Sequence, residues 1–249
     1  MSTEKSILTY EEVKLPVLKQ EQMTGELHLP IGVTPGGNVE TVSLNYGMGT
    51  SHVCLFGLAG SGKSKALEFI IKAICDMYGK SCTISYIDGK DSDVRYWKKR
   101  GLPNAYMLSS CSSREELEEC IDKLITHLNK KRKTTPDLIA FDDIWRIAQL
   151  ADESLSIKMK WLLVLSAQHN AHILWVSQCG EYTYFMPGMR FDSYFSTTCA
   201  TRVHDDQSVC LFGSDIASAN GGQRKYGDMV YKYNGCVSRV RVPFCDYHM

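Results

Sequence analysis

The sequence predicts a three-layer α/β domain built on a largely parallel central sheet. Three observations carry that expectation. Short apolar runs bounded by turn signals alternate with longer segments of helical periodicity. Residues 53–64 read Val-Cys-Leu-Phe-Gly-Leu-Ala-Gly-Ser-Gly-Lys-Ser, an apolar run leading into a complete GxxxxGKS loop, with an amphipathic segment behind it. A chain of 249 residues, 44% of them hydrophobic, can bury one substantial core, so a single domain suffices.

Taken in order, residues 1–30 are polar and weakly patterned, a lead-in segment suited to docking, and residues 31–249 are expected to form the domain. Turn signals at Pro35-Gly36-Gly37-Asn38 precede a β-prone stretch, Val39–Leu44, and the chain then enters the strand before the glycine-rich loop. Leu67, Ile70, Ile71, Ile74 and Met77 recur at helical spacing after the loop. Cys82–Ile87 is a second buried-strand candidate, ending at Asp88-Gly89-Lys90. Ser112 with Glu115 reads as a capping box, and Leu117, Ile121, Leu124 and Leu128 mark one face of the helix that follows. Leu138–Phe141 is a third strand, Ile144–Gln168 mainly helix, and His172–Ser177 a fourth strand. Ser208–Phe212 and Met229–Tyr233 are strand candidates either side of a turn at Gly221-Gly222, and Val237–Val242 is a last one. No internal repeat and no low-complexity linker interrupts this alternation.

Lys plus Arg and Asp plus Glu each number 28, so no global basic excess marks a nucleic-acid coat. The runs Lys98-Lys99-Arg100 and Lys130-Lys131-Arg132-Lys133 read first as solvated helix ends. Ten cysteines occur without a CxxC pair or Cys/His ligand spacing, and Cys54, Cys199 and Cys210 sit in apolar runs as small hydrophobes. Reduced thiols and a nucleotide-binding loop fit the cytoplasm, and no apolar run reaches the length of a membrane span.

The chemistry is most tightly specified at the loop. Gly57, Gly60 and Gly62 let the backbone turn so that successive N–H groups converge on an anion. Lys63 brings charge to β- and γ-phosphates, the Ser64 hydroxyl is placed to ligate Mg²⁺, and the helix behind points its positive end at the same phosphates. The expected nucleotide-binding set is Gly57, Leu58, Ala59, Gly60, Ser61, Gly62, Lys63, Ser64 and Lys65, with ATP and Mg²⁺ as ligands. An incidental lysine in a Gly-rich turn would not account for the strand before it and the helix after it.

Leu138-Ile139-Ala140-Phe141-Asp142-Asp143 is an apolar strand ending in two carboxylates, expected beside the phosphate loop. Asp142 fits the acid that holds Mg²⁺, and Asp143 stands where a carboxylate orients or deprotonates the attacking water. Asp is one methylene shorter than the usual Glu, and a displacement of about 1 Å can cost roughly a hundredfold. The alternative is that Asp143 caps the helix beginning at Ile144. Gln178, at the tip of the fourth strand, is placed to hold the water or sense the γ-phosphate, with a surface-loop glutamine as the alternative.

In order and spacing these blocks resemble the FtsK/SpoIIIE branch of the FtsK–HerA ATPases, RecA-like P-loop NTPases, over about residues 30–243. Leu29–Val33 is similar to the family's lead-in, and Ile87-Asp88-Gly89-Lys90 resembles its "D-P-K" strand end. His172–Gln178 is similar to its "GIHLILATQ" strand, and Gly227-Asp228-Met229-Val230-Tyr231 to its "GDMLY". The resemblance implies a homohexameric ring with ATP at subunit interfaces, moving double-stranded DNA through its pore; a related branch serves type VII protein secretion. The family's arginines differ here: Ala167–Ala171 precedes the fourth strand without one, and Asp192-Ser193-Tyr194-Phe195 stands near its "NRI" block. Arg190 and Arg202 are the nearest substitutes.

Three functions follow as expectations: a DNA-translocating ATPase of transfer, packaging or segregation; a type VII secretion module with slow or partner-dependent turnover, recruited to a membrane complex; and a nucleotide-binding scaffold. Self-assembly and double-stranded DNA are the expected partners, at a cytoplasmic location.

Overall fold

The computed structural model describes residues 7–23, 25–45, 51–130, 134–178, 194–203 and 227–245. The sheet comprises β1 (Leu27–Val33), β2 (Val39–Leu44), β3 (His52–Phe56), β4 (Thr83–Asp88), β5 (Ala105–Ser110), β6 (Asp137–Asp142), β7 (Ala171–Ser177), β8 (Phe195–Ala200), β9 (Asp228–Tyr233) and β10 (Cys236–Arg241). The α-helices are α1 (Lys63–Tyr78), α2 (Ser92–Arg100), α3 (Arg114–Lys130), α4 (Ile144–Leu150) and α5 (Glu153–Gln168).

One sheet holds all these strands in the order β2-β1-β10-β9-β8-β3-β7-β6-β4-β5. The block β8-β3-β7-β6-β4-β5 is parallel, and β9, β10, β1 and β2 extend it as an antiparallel ribbon. The division follows from the sequence. The central runs VCLF, ISYI, LIAF and HILWV are apolar at every position or nearly so, as strands covered on both faces must be. Short turns join β1 to β2 and β9 to β10; Asn234-Gly235, with φ of 49° and 77°, is the two-residue turn that suits a hairpin.

Alternate strand residues separate into two cores. Val53 and Leu55 pack with Leu67, Ile70 and Ile74 of α1 and with Val94 and Trp97 of α2. Cys54 and Phe56 pack on the other side with Leu117 and Leu124 of α3, Ile147 of α4 and Met159 of α5. Helices therefore cover both faces of the parallel block. Salt bridges such as Lys158–Glu118 (2.7 Å) and Arg114–Asp152 (2.8 Å) also join α3 to α5. Being largely solvent-facing, each is worth at most about 1 kcal/mol, against about 1.5–3 for each buried Leu or Ile on the same helices. The apolar stripe holds the layer.

Several boundaries differ from the sequence expectation. β1 begins at Leu27, and Leu27 and Leu29 are fully buried, so the sheet starts inside the segment expected as a lead-in. The capping box of α3 is one residue later: Glu116 accepts from Ser113 N (3.3 Å), and Glu116 N donates back to Ser113 Oγ (3.3 Å). The stretch expected as one helix from Ile144 is broken at Ala151-Asp152, where Asp152 accepts from Leu155 N at 2.9 Å and caps α5. α2, β5 and β8 were not anticipated, because their apolar residues are few or mixed with Ser and Thr. Ser208–Phe212, Gly221-Gly222, Arg190 and Lys131–Lys133 lie outside the described residues. Among the described residues no helix is long and apolar enough to cross a membrane.

Candidate functional site

The parallel strands finish along one edge: Phe56 pairs with Ser177 and Ala200, and Asp88 with Asp142 and Ser110. The crevice beyond such an edge is where open α/β sheets bind ligands. β3 delivers the glycine-rich loop there, and the loop passes directly into α1. Gly60 (φ 72°) and Gly62 (φ 97°) adopt the left-handed conformation that side-chain-bearing residues resist. Gly62 is the N-cap of α1, so no side chain covers the first N–H groups of the helix.

The loop is tied down from both flanks. Gly57 N donates to Ser177 O (3.3 Å) and Leu58 N to Arg202 O (2.7 Å). Thr201 donates its hydroxyl to Phe56 O (3.2 Å), and its oxygen lies 2.7 Å from Ser61 Oγ. A Cβ on Gly57 would collide with both of those hydroxyl oxygens, which explains the glycine there. Thr201 is a loop-supporting residue that the sequence did not reveal, since the strand delivering it was not anticipated. Lys63 Nζ donates to Gly57 O (2.6 Å) and Leu58 O (2.9 Å), curled over the loop. Ser64 is exposed at the start of α1, and Ala59 and Gly60 are exposed at the loop tip. Lys65 turns aside, reaching Glu68 Oε2 (3.2 Å) and Cys245 O (3.4 Å).

The acid pair occupies the end of β6. β7 lies between this strand and the loop strand β3. That insertion places Gln178, just beyond β7, between the loop and the acids. Asp142 is buried; its Oδ1 accepts from Asp143 N (2.8 Å) and its Oδ2 from Tyr86 Oη (3.0 Å). Burial pushes its pKa up to about 6, opposed by those two hydrogen bonds and reinforced by the nearby Asp93 and Asp143. Asp88 is likewise raised by burial while accepting from Lys90 N (2.8 Å) and Asp93 N (3.2 Å).

Asp143 has left-handed backbone (φ 51°, ψ 48°) and precedes α4, but its side chain makes no capping bond. Its Oδ2 instead pairs with Lys90 Nζ at 3.0 Å, and its Oδ1 accepts from Gln178 Nε2 at 3.4 Å. Two residues singled out in the sequence therefore touch, and Lys90, quoted there only as part of a strand-end motif, is their third partner. Arg202, exposed after β8, reaches the loop through its carbonyl.

The donors suit a hard divalent cation. Ser64 and Asp142 offer oxygen only. Mg²⁺ in nucleotide sites takes one or two protein oxygens and completes its shell with phosphate and water. Among the described residues no group of three or more His, Cys, Asp or Glu is placed to hold a metal ion. A cavity of about 510 Å³ opens beside residues 60–65 of the loop and α1.

No family model matches the chain. No curated protein matches it in sequence either. Solved structures do share its fold. ATPases 2 and 3 of EccC from Thermomonospora curvata, in complex with a signal sequence peptide, match with a TM-score of 0.70 at 14% identity, over 97% of this chain and 44% of that one. ATPases 2 and 3 of EssC from Geobacillus thermodenitrificans match at 0.68 and 10% identity, over 96% of this chain and 47% of that one. The DNA-packaging ATPase B204 of Sulfolobus turreted icosahedral virus matches at 0.57 and 11% identity, over 79% of this chain and 100% of that one. The chain thus spans less than half the length of the EccC and EssC structures. At these identities the likeness establishes the fold, an α/β sheet shared with ATPases.

Proposed function

We propose that this chain is a Mg²⁺-dependent ATPase with the three-layer RecA-like arrangement of the FtsK–HerA superfamily, working as a subunit of a ring that moves a polymer. The observation that carries this reading is the meeting of Asp143 and Gln178 at the same sheet edge as a complete GxxxxGKS loop. Lys63 and the N–H groups at the loop tip and in the first turn of α1 hold the phosphates. Ser64 and Asp142 hold Mg²⁺, which when bound neutralises charge across the phosphate oxygens. Asp143 takes the proton of the attacking water, and Gln178 orients that water. Lys90, paired with Asp143 at 3.0 Å, keeps its carboxylate aimed.

Double-stranded DNA is the preferred cargo, gripped through its phosphates by loops at the ring centre without reading sequence. The fold shared with a DNA-packaging ATPase supports it. A type VII secretion module recruited to a membrane complex is the second reading, favoured by the likeness to EccC and EssC across nearly the whole chain. The intact Lys63, Ser64 and Asp142 weigh against a scaffold without turnover.

The test is ATP hydrolysis with and without long double-stranded DNA at low salt, with Lys63→Ala as the blank. Turnover stimulated by DNA and lost in the variant is expected. Turnover indifferent to DNA would favour the secretion reading, and ATP binding with no turnover under any condition would overturn the motor.

A further inference from the structure

The cavity beside the phosphate loop has two unlike walls. One is the loop and the first turn of α1; the other is built from both ends of the described chain, Ile7 and Leu8 facing Val242, Pro243 and Phe244. Main-chain bonds lock these ends together. Phe244 N donates to Leu8 O (2.7 Å), Tyr10 N donates to Phe244 O (2.9 Å), and Val242 N donates to Gly227 O (2.7 Å). Tyr10 anchors the assembly on α1, its ring 6.0 Å from Phe69 and its hydroxyl donating to Asp76 at 2.6 Å. Lys65, expected among the phosphate ligands, braces this wall: its Nζ lies 4.8 Å from the Phe244 ring centre and donates to Cys245 O.

Held by that framework, Phe244 stays 40% exposed and Ile7 55% exposed. We infer that this wall is the nucleoside subsite, with the base stacked on Phe244 and shielded by Ile7 and Leu8 while the triphosphate occupies the loop. The inference rests on the ATPase reading and assigns the other half of its ligand. The wall is continuous with the phosphate loop in one cavity, whose volume lies within the range of about 300–1,000 Å³ typical of small-molecule sites. All five of its side chains are apolar, so what it offers a ligand is a π face and dry surface. Those suit a flat heterocycle and do nothing for a phosphate. Since the wall joins residues 7–10 to residues 242–245, a ligand bearing a base steadies the two segments together, and a bare polyphosphate does not.

Calorimetric titration of the full chain with MgATP and with Mg²⁺-tripolyphosphate, which has no base, tests this. Base–aromatic stacking is worth about 1–3 kcal/mol on truncation to alanine, so Phe244→Ala should weaken ATP roughly 5- to 150-fold. It should leave tripolyphosphate within about twofold, and Phe244→Tyr should restore ATP. Amide exchange at residues 7–10 and 242–245 should slow with ATP alone. Equal weakening of both ligands, or of neither, would overturn the subsite while leaving the phosphate site standing. Failure of the unmodified chain to bind either ligand would instead overturn the ATPase reading.

Discussion

Asp143 joins an uncommon backbone to a committed side chain. A non-glycine residue at φ 51° is tolerated best when it is Asp or Asn, and here the side chain is turned away from the helix it precedes, toward Lys90 and Gln178. Asp143→Asn keeps the size and the tolerance for that backbone while removing the base. Turnover should fall by about 10²–10⁴, with ATP affinity within about threefold of the unmodified chain. Unchanged steady-state turnover would show that Asp143 is not the base. The sequence made Asp142, Asp143 and Gln178 legible because each follows an apolar strand, where the chain emerges at the sheet edge. Lys90 and Thr201 were not legible as partners. Nothing in their neighbourhood specifies Asp143, and Thr201 meets Ser61 across 140 residues of chain.

At the scale of elements, one imidazole adds to the strand ladders a tie between the loop strand, α5 and β7. His52 is fully buried; its Nε2 donates to Leu163 O of α5 (2.9 Å), and its Nδ1 accepts from Ile173 N of β7 (3.1 Å). A proton on Nδ1 would break the second bond, and burial lowers the pKa of the ring to about 4 from 6.5. The unfolded chain therefore binds this proton first. The contribution is complete above about pH 6.5 and is lost as pH falls toward 4, by on the order of 3 kcal/mol. Asp88, Asp93, Asp142 and Glu68 act in the opposite sense, because their raised values make the folded state take protons sooner. The measurement is thus a difference: urea midpoints from pH 7 to pH 4 for the unmodified chain and His52→Gln. The variant should lose less stability across that window, and parallel curves would show that His52 is not the group responsible.

For the whole molecule, the antiparallel ribbon and the parallel block form one sheet, yet the site occupies only the carboxyl edge of the block. The resemblance implies that a neighbouring subunit completes it with an arginine; Arg202 is exposed near the loop, and Arg190 lies outside the described residues. Turnover per chain should then rise with protein concentration over the range in which sedimentation shows rings forming. A rate per chain that stays constant from monomer to ring would make each site self-sufficient.

The sequence by itself determined the glycine-rich loop between strand and helix, the acid pair at a strand end, the alternation of strand and helix and most of the apolar faces. Each is written within a few consecutive residues as a spacing or a period. Strand order is not. That β7 separates the loop strand from the acid strand, that Asp143 faces Lys90 and Gln178, and that Ile7 meets Phe244 beside the phosphate loop were decided only by the tertiary structure. These contacts join segments far apart in the chain, and it is burial of two shared cores that selects their pairing.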